Sequence, residues 1–325
     1  MNTRNQPFVF CSLLLIVVAL SLVSCARPDP AVESAVEELD LPTRYPQAQR
    51  IVAIGDLHGD LAATRAALRL AGAIDEDDQW AGGAMVLVQT GDQLDRGDDE
   101  FEILDLLDAL TVQARDTGGA VHVLNGNHEL MNVKQDLRYV TLGGFLDFLP
   151  TPVADPETVE PQVVVDAVHA RLRACKPGRP FAMRLVDRNV ITLVGDTVFV
   201  HGGVLPHVVD YGIERLNQEA RAWIRRDRPY PPDILLATDG PVWSRHYSDE
   251  PDVEDCRILD EVLDDLGARR MVVGHTVSKH GISSACDDKV WRIDVGMARH
   301  YGGSTAVLEL QNGIPRIIEE EAPQE

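Results

Sequence analysis

Five short segments constrain this chain more than anything else in it: Gly55-Asp56-Leu57-His58-Gly59, Gly91-Asp92-Gln93-Leu94-Asp95-Arg96-Gly97, Gly126-Asn127-His128-Glu129, His201-Gly202-Gly203 and Gly274-His275. Each follows an apolar run of buried-strand length: Arg50 to Ile54, Ala84 to Gln89, Ala120 to Leu124, Thr197 to Val200 and Met271 to Val273. A run that stops at glycine-flanked Asp, Asn and His places hard oxygen donors and imidazoles at strand ends. Between the first three runs lie stretches with helical spacing, Leu61, Leu68 and Ala71 in one and Phe101, Leu104, Leu107 and Ala109 in the other. This βαβαβ order predicts a parallel sheet whose strand ends share one crevice, with Asp56, Asp92 and Asn127 just past the C-terminal ends of neighbouring strands.

Beyond the third strand the alternation breaks. Residues 142–180 begin Pro-rich and carry a helical patch near Val163 to Leu172, which reads as an inserted helical cap. Val190 to Val194 and Thr197 to Val200 read as a hairpin-like pair, Ile213 to Arg225 as a helix, and Val290 to Ile293, Thr305 to Leu310 and Arg316 to Ile318 as closing strands. With 325 residues and 45% apolar content, the chain can bury a full core. The α/β domain is expected over residues 47–320.

The first residues read as a targeting segment. Arg4 precedes an apolar stretch from Phe8 to Val23 that closes on Leu22-Val23-Ser24-Cys25. That ending resembles the lipobox of bacterial lipoproteins, which implies a signal peptide over residues 1–24 and a lipidated Cys25. Export and anchoring to the outer membrane, on its periplasmic or cell-surface face, are the expectation. Residues 25–46, rich in Pro and Glu, read as a flexible tether. Of the remaining cysteines, Cys175, Cys256 and Cys286 allow three pairings that sequence does not choose between, and three unrelated thiols are expected.

The formal net charge of -22 argues against nucleic-acid binding, which needs clustered Lys and Arg. Lysine is confined to Lys134, Lys176, Lys279 and Lys289, so the positive charge is mostly guanidinium. An anionic substrate must therefore be drawn in by metals and by local Arg.

The five segments suit a dinuclear metal hydrolase. Two ions need one shared ligand, and the carboxylate of Asp92 can face both. Asp56 and His58, two apart on one tight turn, reach the same ion; Asn127, His201 and His275 complete the other shell. This mixed N/O set favours Mn, Fe or Zn over Mg or Ca. His128 stands beside a ligand without being needed as one, and is the candidate acid for the leaving group. Asp95 is placed to hydrogen-bond it and keep its ring charged, and Arg96 to clamp phosphate oxygens. Together they describe phosphoester hydrolysis by a metal-bridging hydroxide without a covalent enzyme intermediate.

In that order the segments resemble the motifs of the calcineurin-like metallophosphoesterases, and within them the PPP-type phosphoprotein phosphatases. The resemblance spans Ile51 to Gly303 and implies a four-layer α/β/β/α sandwich of two mixed sheets with a small helical insertion. It assigns Asp56, His58 and Asp92 to one metal, Asp92, Asn127, His201 and His275 to the other, and His128 as the acid. Where the eukaryotic Ser/Thr enzymes carry Leu-Trp-Ser-Asp-Pro and Ser-Ala-Pro-Asn-Tyr-Cys, this chain has Val242-Trp243-Ser244-Arg245 and Asp294-Val295-Gly296-Met297. That pattern is similar to the bacterial-type branch known as Shewanella-like phosphatases, and Arg245 is the candidate for the second phosphate-binding arginine.

The leading expectation is a metal-dependent phosphomonoesterase acting on a phosphorylated protein or peptide, at Ser/Thr or Tyr. A nucleotide or dinucleoside-polyphosphate hydrolase shares the same motifs and is the alternative, with a small phosphoester as substrate. A catalytically inactive surface module ranks below both, because Asp56, His58, Asp92, Asn127, His128, His201 and His275 are all present.

Overall fold

The computed structural model describes residues 41–320 apart from 154, 156 and 157. The expected signal peptide, Cys25 and most of the tether lie outside the described residues. Along the chain come β1 (Arg44–Tyr45), β2 (Arg50–Ile54), α1 (Leu61–Leu70), β3 (Val86–Gln89), α2 (Glu100–Asp116), β4 (Ala120–Val123) and α3 (Asn127–Val133). The expected insertion follows as α4 (Leu142–Leu146), α5 (Pro161–Ala174) and α6 (Pro180–Met183). Then come β5 (Ile191–Val194), β6 (Thr197–Val200), α7 (Pro206–Tyr211), α8 (Ile213–Arg225), α9 (Val253–Leu266) and β7 (Arg270–Val273). The last strands are β8 (Ser283–Ala285), β9 (Val290–Arg292), β10 (Ala306–Gln311) and β11 (Ile314–Glu319).

The strands form two mixed sheets, ordered β11-β10-β2-β3-β4 and β1-β5-β6-β7-β9-β8. In the first, β2, β3 and β4 are parallel in register, Ile51 opposite Val86 and Val86 opposite Ala120, as the βαβαβ order requires. In the second, β6, β7 and β9 are parallel. Alternation along the second sheet shows how it is covered on both faces. Val198 and Val200 of β6 pack with Leu216, Trp223 and Leu263 of α8 and α9, whereas Phe199 between them joins the core shared with Ile51, Leu87 and Val123 of the first sheet. Met271 and Val273 of β7 divide from Val272 in the same way. The first core also takes in Leu68 of α1 and Ile103 and Leu107 of α2, so helices close both outer faces and the four-layer architecture is realised.

Two expectations change. The tether was expected to reach residue 46, but Arg44–Tyr45 pair in parallel with Leu193 and Val194, so the sheet begins earlier. The thiols are not unrelated: Cys256 of α9 and Cys286, in the turn between β8 and β9, form a disulfide, while Cys175 is free and buried. Burial pushes the Cys175 thiol up to about 12, which leaves it unreactive.

Candidate metal centre

Six side chains converge from the C-terminal ends of six parallel strands, three per sheet. Asp56, Asp92 and Asn127 follow β2, β3 and β4; His201, His275 and Asp294 follow β6, β7 and β9. Parallel strands open their C-terminal ends on one side, so each sheet presents its ligands toward the same crevice. Tight backbone packing lets the loops meet there. A Cβ on Gly91, whose φ is +106, would lie 2.6 Å from the Gly126 nitrogen, and one on Gly126 would strike the Asp92 carboxylate. His58, Asp92, Asp95, Arg96 and His275 also hold left-handed φ values, a strained arrangement that clusters at the site. It is fixed by hydrogen bonds from the backbone N–H groups of Leu57 and His58 to the Asp92 carbonyl at 2.9 and 3.0 Å.

Asp92 is the hub. Its Oδ2 lies 3.2 Å from His201 Nε2, 3.7 Å from His128 Nε2 and 3.8 Å from His58 Nε2. Its Oδ1 accepts from the His128 backbone N–H at 3.0 Å. His58 Nε2 is also 3.8 Å from Asp56 Oδ2. On the other side, His201 Nε2 lies 2.8 Å from Asn127 Oδ1 and 3.1 Å from His275 Nδ1. The predicted ligands Asp56, His58, Asp92, Asn127, His201 and His275 are thus all in one buried cluster.

The donor set fits divalent cations. His58 Nδ1 donates to the Leu94 carbonyl and His201 Nδ1 to the Thr90 carbonyl, each at 3.1 Å. In their neutral rings this turns both Nε2 lone pairs toward the centre, where they face carboxylate and amide oxygens. Lone pairs converging without a proton between them are what a cation satisfies. The charges agree. Burial, with Asp294 and Asp92 beside it, pushes the Asp56 carboxyl well up from the usual carboxylate range. Burial also raises Asp294 to about 6, and its Oδ2 has no hydrogen-bond partner among the described residues. Burial lowers His58 to about 4 and, with His201 beside it, His275 to about 2, keeping both rings neutral as ligands must be.

His128 differs. Its Nδ1 donates to Asp95 Oδ2 at 2.6 Å. Burial alone would lower its basicity, but Asp92 and the hydrogen-bonded Asp95 outweigh it and hold the ring up to about 9. Distance alone groups His128 with His58 and Asp92, all within 4.8 Å of one another. The Asp95 hydrogen bond favours a protonated ring, which suits a proton donor and not a ligand. Arg96 stacks its guanidinium 4.0 Å from the Tyr139 ring centroid, and its buried Nε has no partner among the described residues. Arg245 donates from Nη1 to the Thr276 hydroxyl at 2.9 Å and the His275 carbonyl at 3.3 Å, which puts it on the rim next to a predicted ligand.

Several contributors escaped the sequence reading. Glu129 is wholly buried and accepts from the backbone N–H groups of Gly126, Asp92 and Gln93 at 2.7, 2.8 and 2.8 Å, tying two ligand loops together. Arg171, on α5 of the insertion, reaches in to Glu100 at 2.6 Å, Asn132 at 2.8 Å and Asp95 at 3.4 Å. Asn132 in turn donates to Asp95 Oδ1 at 3.0 Å, so the insertion orients the carboxylate that orients His128. In the sequence Asp294 stands out only as part of a departure from the family pattern. Its place after an apolar strand run was the available signal.

The sequence profile described as calcineurin-like phosphoesterase matches residues 49–279. The chain is 37% identical to Shewanella-like protein phosphatase 2 of Arabidopsis thaliana, over 96% of this chain and 89% of that one. It is 30% identical to Shewanella-like protein phosphatase 1 of Plasmodium berghei, over 78% and 69% of the two chains. Among solved structures, the cold-active protein-tyrosine phosphatase of a psychrophilic Shewanella species superposes with a TM-score of 0.69 at 26% identity, covering 86% of this chain and 82% of that one.

Proposed function

The chain belongs to the calcineurin-like phosphoesterase family, and from that membership we propose that it is a metal-dependent phosphatase of phosphoproteins or phosphopeptides. The observation that carries the reading is the pairing of the six-strand ligand cluster with the His128–Asp95 hydrogen bond at 2.6 Å. A dephosphorylating site needs both halves, since a serine, threonine or tyrosine oxygen leaves poorly without a proton. Two divalent ions, of which manganese, iron and zinc suit the N/O donors, would supply Lewis acidity toward the phosphoryl oxygens and lower the pKa of water.

The remaining roles belong to the chain itself. Arg96 and Arg245 bind non-bridging phosphate oxygens with their planar forks. His128 Nε2 gives its proton to the departing side-chain oxygen, and Asp95 holds the ring in the orientation that points Nε2 inward. Glu129 keeps the Asp92 and Gly126 loops at fixed spacing, and Arg171 with Asn132 keeps Asp95 from turning away. Lipidation at Cys25 would hold this activity at a membrane.

The test is hydrolysis by the metal-stripped chain reloaded with Mn²⁺, offered phosphotyrosine peptide, phosphoserine peptide and a dinucleoside polyphosphate. Mn-dependent phosphate release from a peptide, abolished in Asp92→Asn, is expected. Release from the nucleotide alone would move the activity to small phosphoesters. Fractionating a Cys25→Ala variant in parallel should find it released from membranes.

A further inference from the structure

A second concave surface opens at the other end of α3. The helix carries Asn127 and His128 at its start and, over its 7 residues or about 10 Å, leads to a cleft of 660 Å³ beginning at Val133 and Lys134. Its walls are the turn between α5 and α6, with Lys176 and Arg179, and the chain after α8, with Arg226 and Tyr230. Buried Trp223 forms part of its floor. A neighbouring cleft of 450 Å³ shares Lys176 and Arg179 and adds Arg173, so the cationic strip is continuous.

This concentration is anomalous for a chain of net charge -22, two of whose few lysines lie here. Lys134, Arg173, Lys176, Arg179 and Arg226 are all exposed, and none has a carboxylate within ion-pair distance among the described residues. Some arginines elsewhere on the surface are paired, as Arg257 is with Glu254. Backbone hydrogen bonds tie its walls together. The Gly178 N–H donates to the Ile224 carbonyl at 2.7 Å, pinning the α5–α6 turn to the end of α8. Arg226 holds a left-handed φ of 75° while its N–H donates to the Trp223 carbonyl at 2.9 Å. Tyr230, 75% exposed, stands at the rim between prolines, a ready apolar anchor.

We infer that this strip docks an acidic, Asp/Glu-rich peptide segment. As a docking site for substrates it rests on the phosphoprotein reading above. Cations spread over three separate loops do not converge on one phosphate; they suit charges spaced along an extended chain.

The experiment is fluorescence anisotropy of a labelled acidic peptide without phosphate, titrated with the metal-loaded full chain. Binding is expected to weaken about tenfold or more in Lys134→Glu/Lys176→Glu, and less in Lys134→Gln/Lys176→Gln. It should also fall with added salt and be about tenfold weaker for the Asn/Gln counterpart peptide. Turnover of p-nitrophenyl phosphate should be unchanged in both variants, which shows that they fold, and Arg316→Glu on β11 should bind as the parent does. On phosphopeptides with an acidic flank, KM should rise about tenfold in the Glu variant at constant kcat. Undiminished binding by the Glu variant, or equal binding of the neutral peptide, would overturn the proposal. Tighter binding of single-stranded DNA or of phosphatidylglycerol vesicles than of the peptide would overturn it in favour of a polyanion. Peptide binding without phosphopeptide hydrolysis would keep the docking site and remove the phosphatase reading.

Discussion

Arg171 is the largest fully buried side chain, and nothing in its helical context announces that it belongs near the metal centre. It is one of two charges in Ala170-Arg171-Leu172-Arg173, and periodicity ranks it with its exposed neighbour. The ligands were legible for the opposite reason: a polar residue that ends an apolar run between glycines is poorly suited to packing and well suited to holding an ion. A buried guanidinium that serves Glu100, Asn132, Gly144 and Asp95 at once is defined only by what surrounds it. Arg171→Met should leave Glu100 and Asp95 buried without their cation and cost about 3–5 kcal/mol, read from the denaturant midpoint. Arg171→Lys should recover little, since a single ammonium cannot span Asn132 and Glu100 as the fork does. Adding Glu100→Gln to Arg171→Met should restore part of the loss. If the double variant were no better than the single one, the stranded-charge account would fail.

At the scale of elements, legibility followed the hydrophobic signal. The strands β2 to β7 came within a residue or two because continuous apolar runs mark strands buried on both faces, and Ile213–Arg225 was read to the residue. β8, Ser283-Ser284-Ala285, was missed because it has neither branched nor large apolar side chains and pairs only at the sheet edge with β9. The helix α9 was missed although it carries a signal, Asp252 capping its first turn reciprocally with Asp255 ahead of Leu259, Val262, Leu263 and Leu266. The disulfide ties α9 to the turn that follows β8, closing a sequence separation of 30 residues. Edge strand β8 packs through few apolar groups, so the crosslink should contribute a disproportionate share of its hold. Cys256→Ser/Cys286→Ser, or reduction, is expected to lower unfolding stability by about 2–4 kcal/mol. Chemical denaturation with and without reductant checks this, and the double variant should be insensitive to reductant. A parent equally stable in both conditions would mean that the loop is already ordered by its packing.

The whole domain is two sheets whose parallel strands end at one crevice, with the predicted ligands Asp56, His58, Asp92 and Asn127 on loops of one sheet and His201 and His275 on loops of the other. That arrangement couples metal to architecture. Asp56, Asp92 and Asp294 face one another in a buried space with neutral imidazoles, and burial together with neighbouring carboxylates pushes Asp56 and Asp294 up. Without cations the folded state holds these groups in an environment that the unfolded chain does not impose. Ions that bind only the folded arrangement therefore stabilise it by mass action, about 4 kcal/mol per site when present at a thousand times their Kd. Because the ligands come from both sheets, the gain should appear as one cooperative transition moved upward, not as protection of a single element. Thermal unfolding in EDTA should occur well below that of the Mn²⁺-loaded protein, with a single transition in each. Against the penalty of burial, the imidazoles of His201, His128 and His58 hold the Asp92 carboxyl well below the usual carboxylate range. Asp92→Asn should therefore lose most of the metal-dependent shift and also melt below the parent when metal-free. An EDTA-treated protein that melts with its loaded form would show the ligands to be held by the sheets alone.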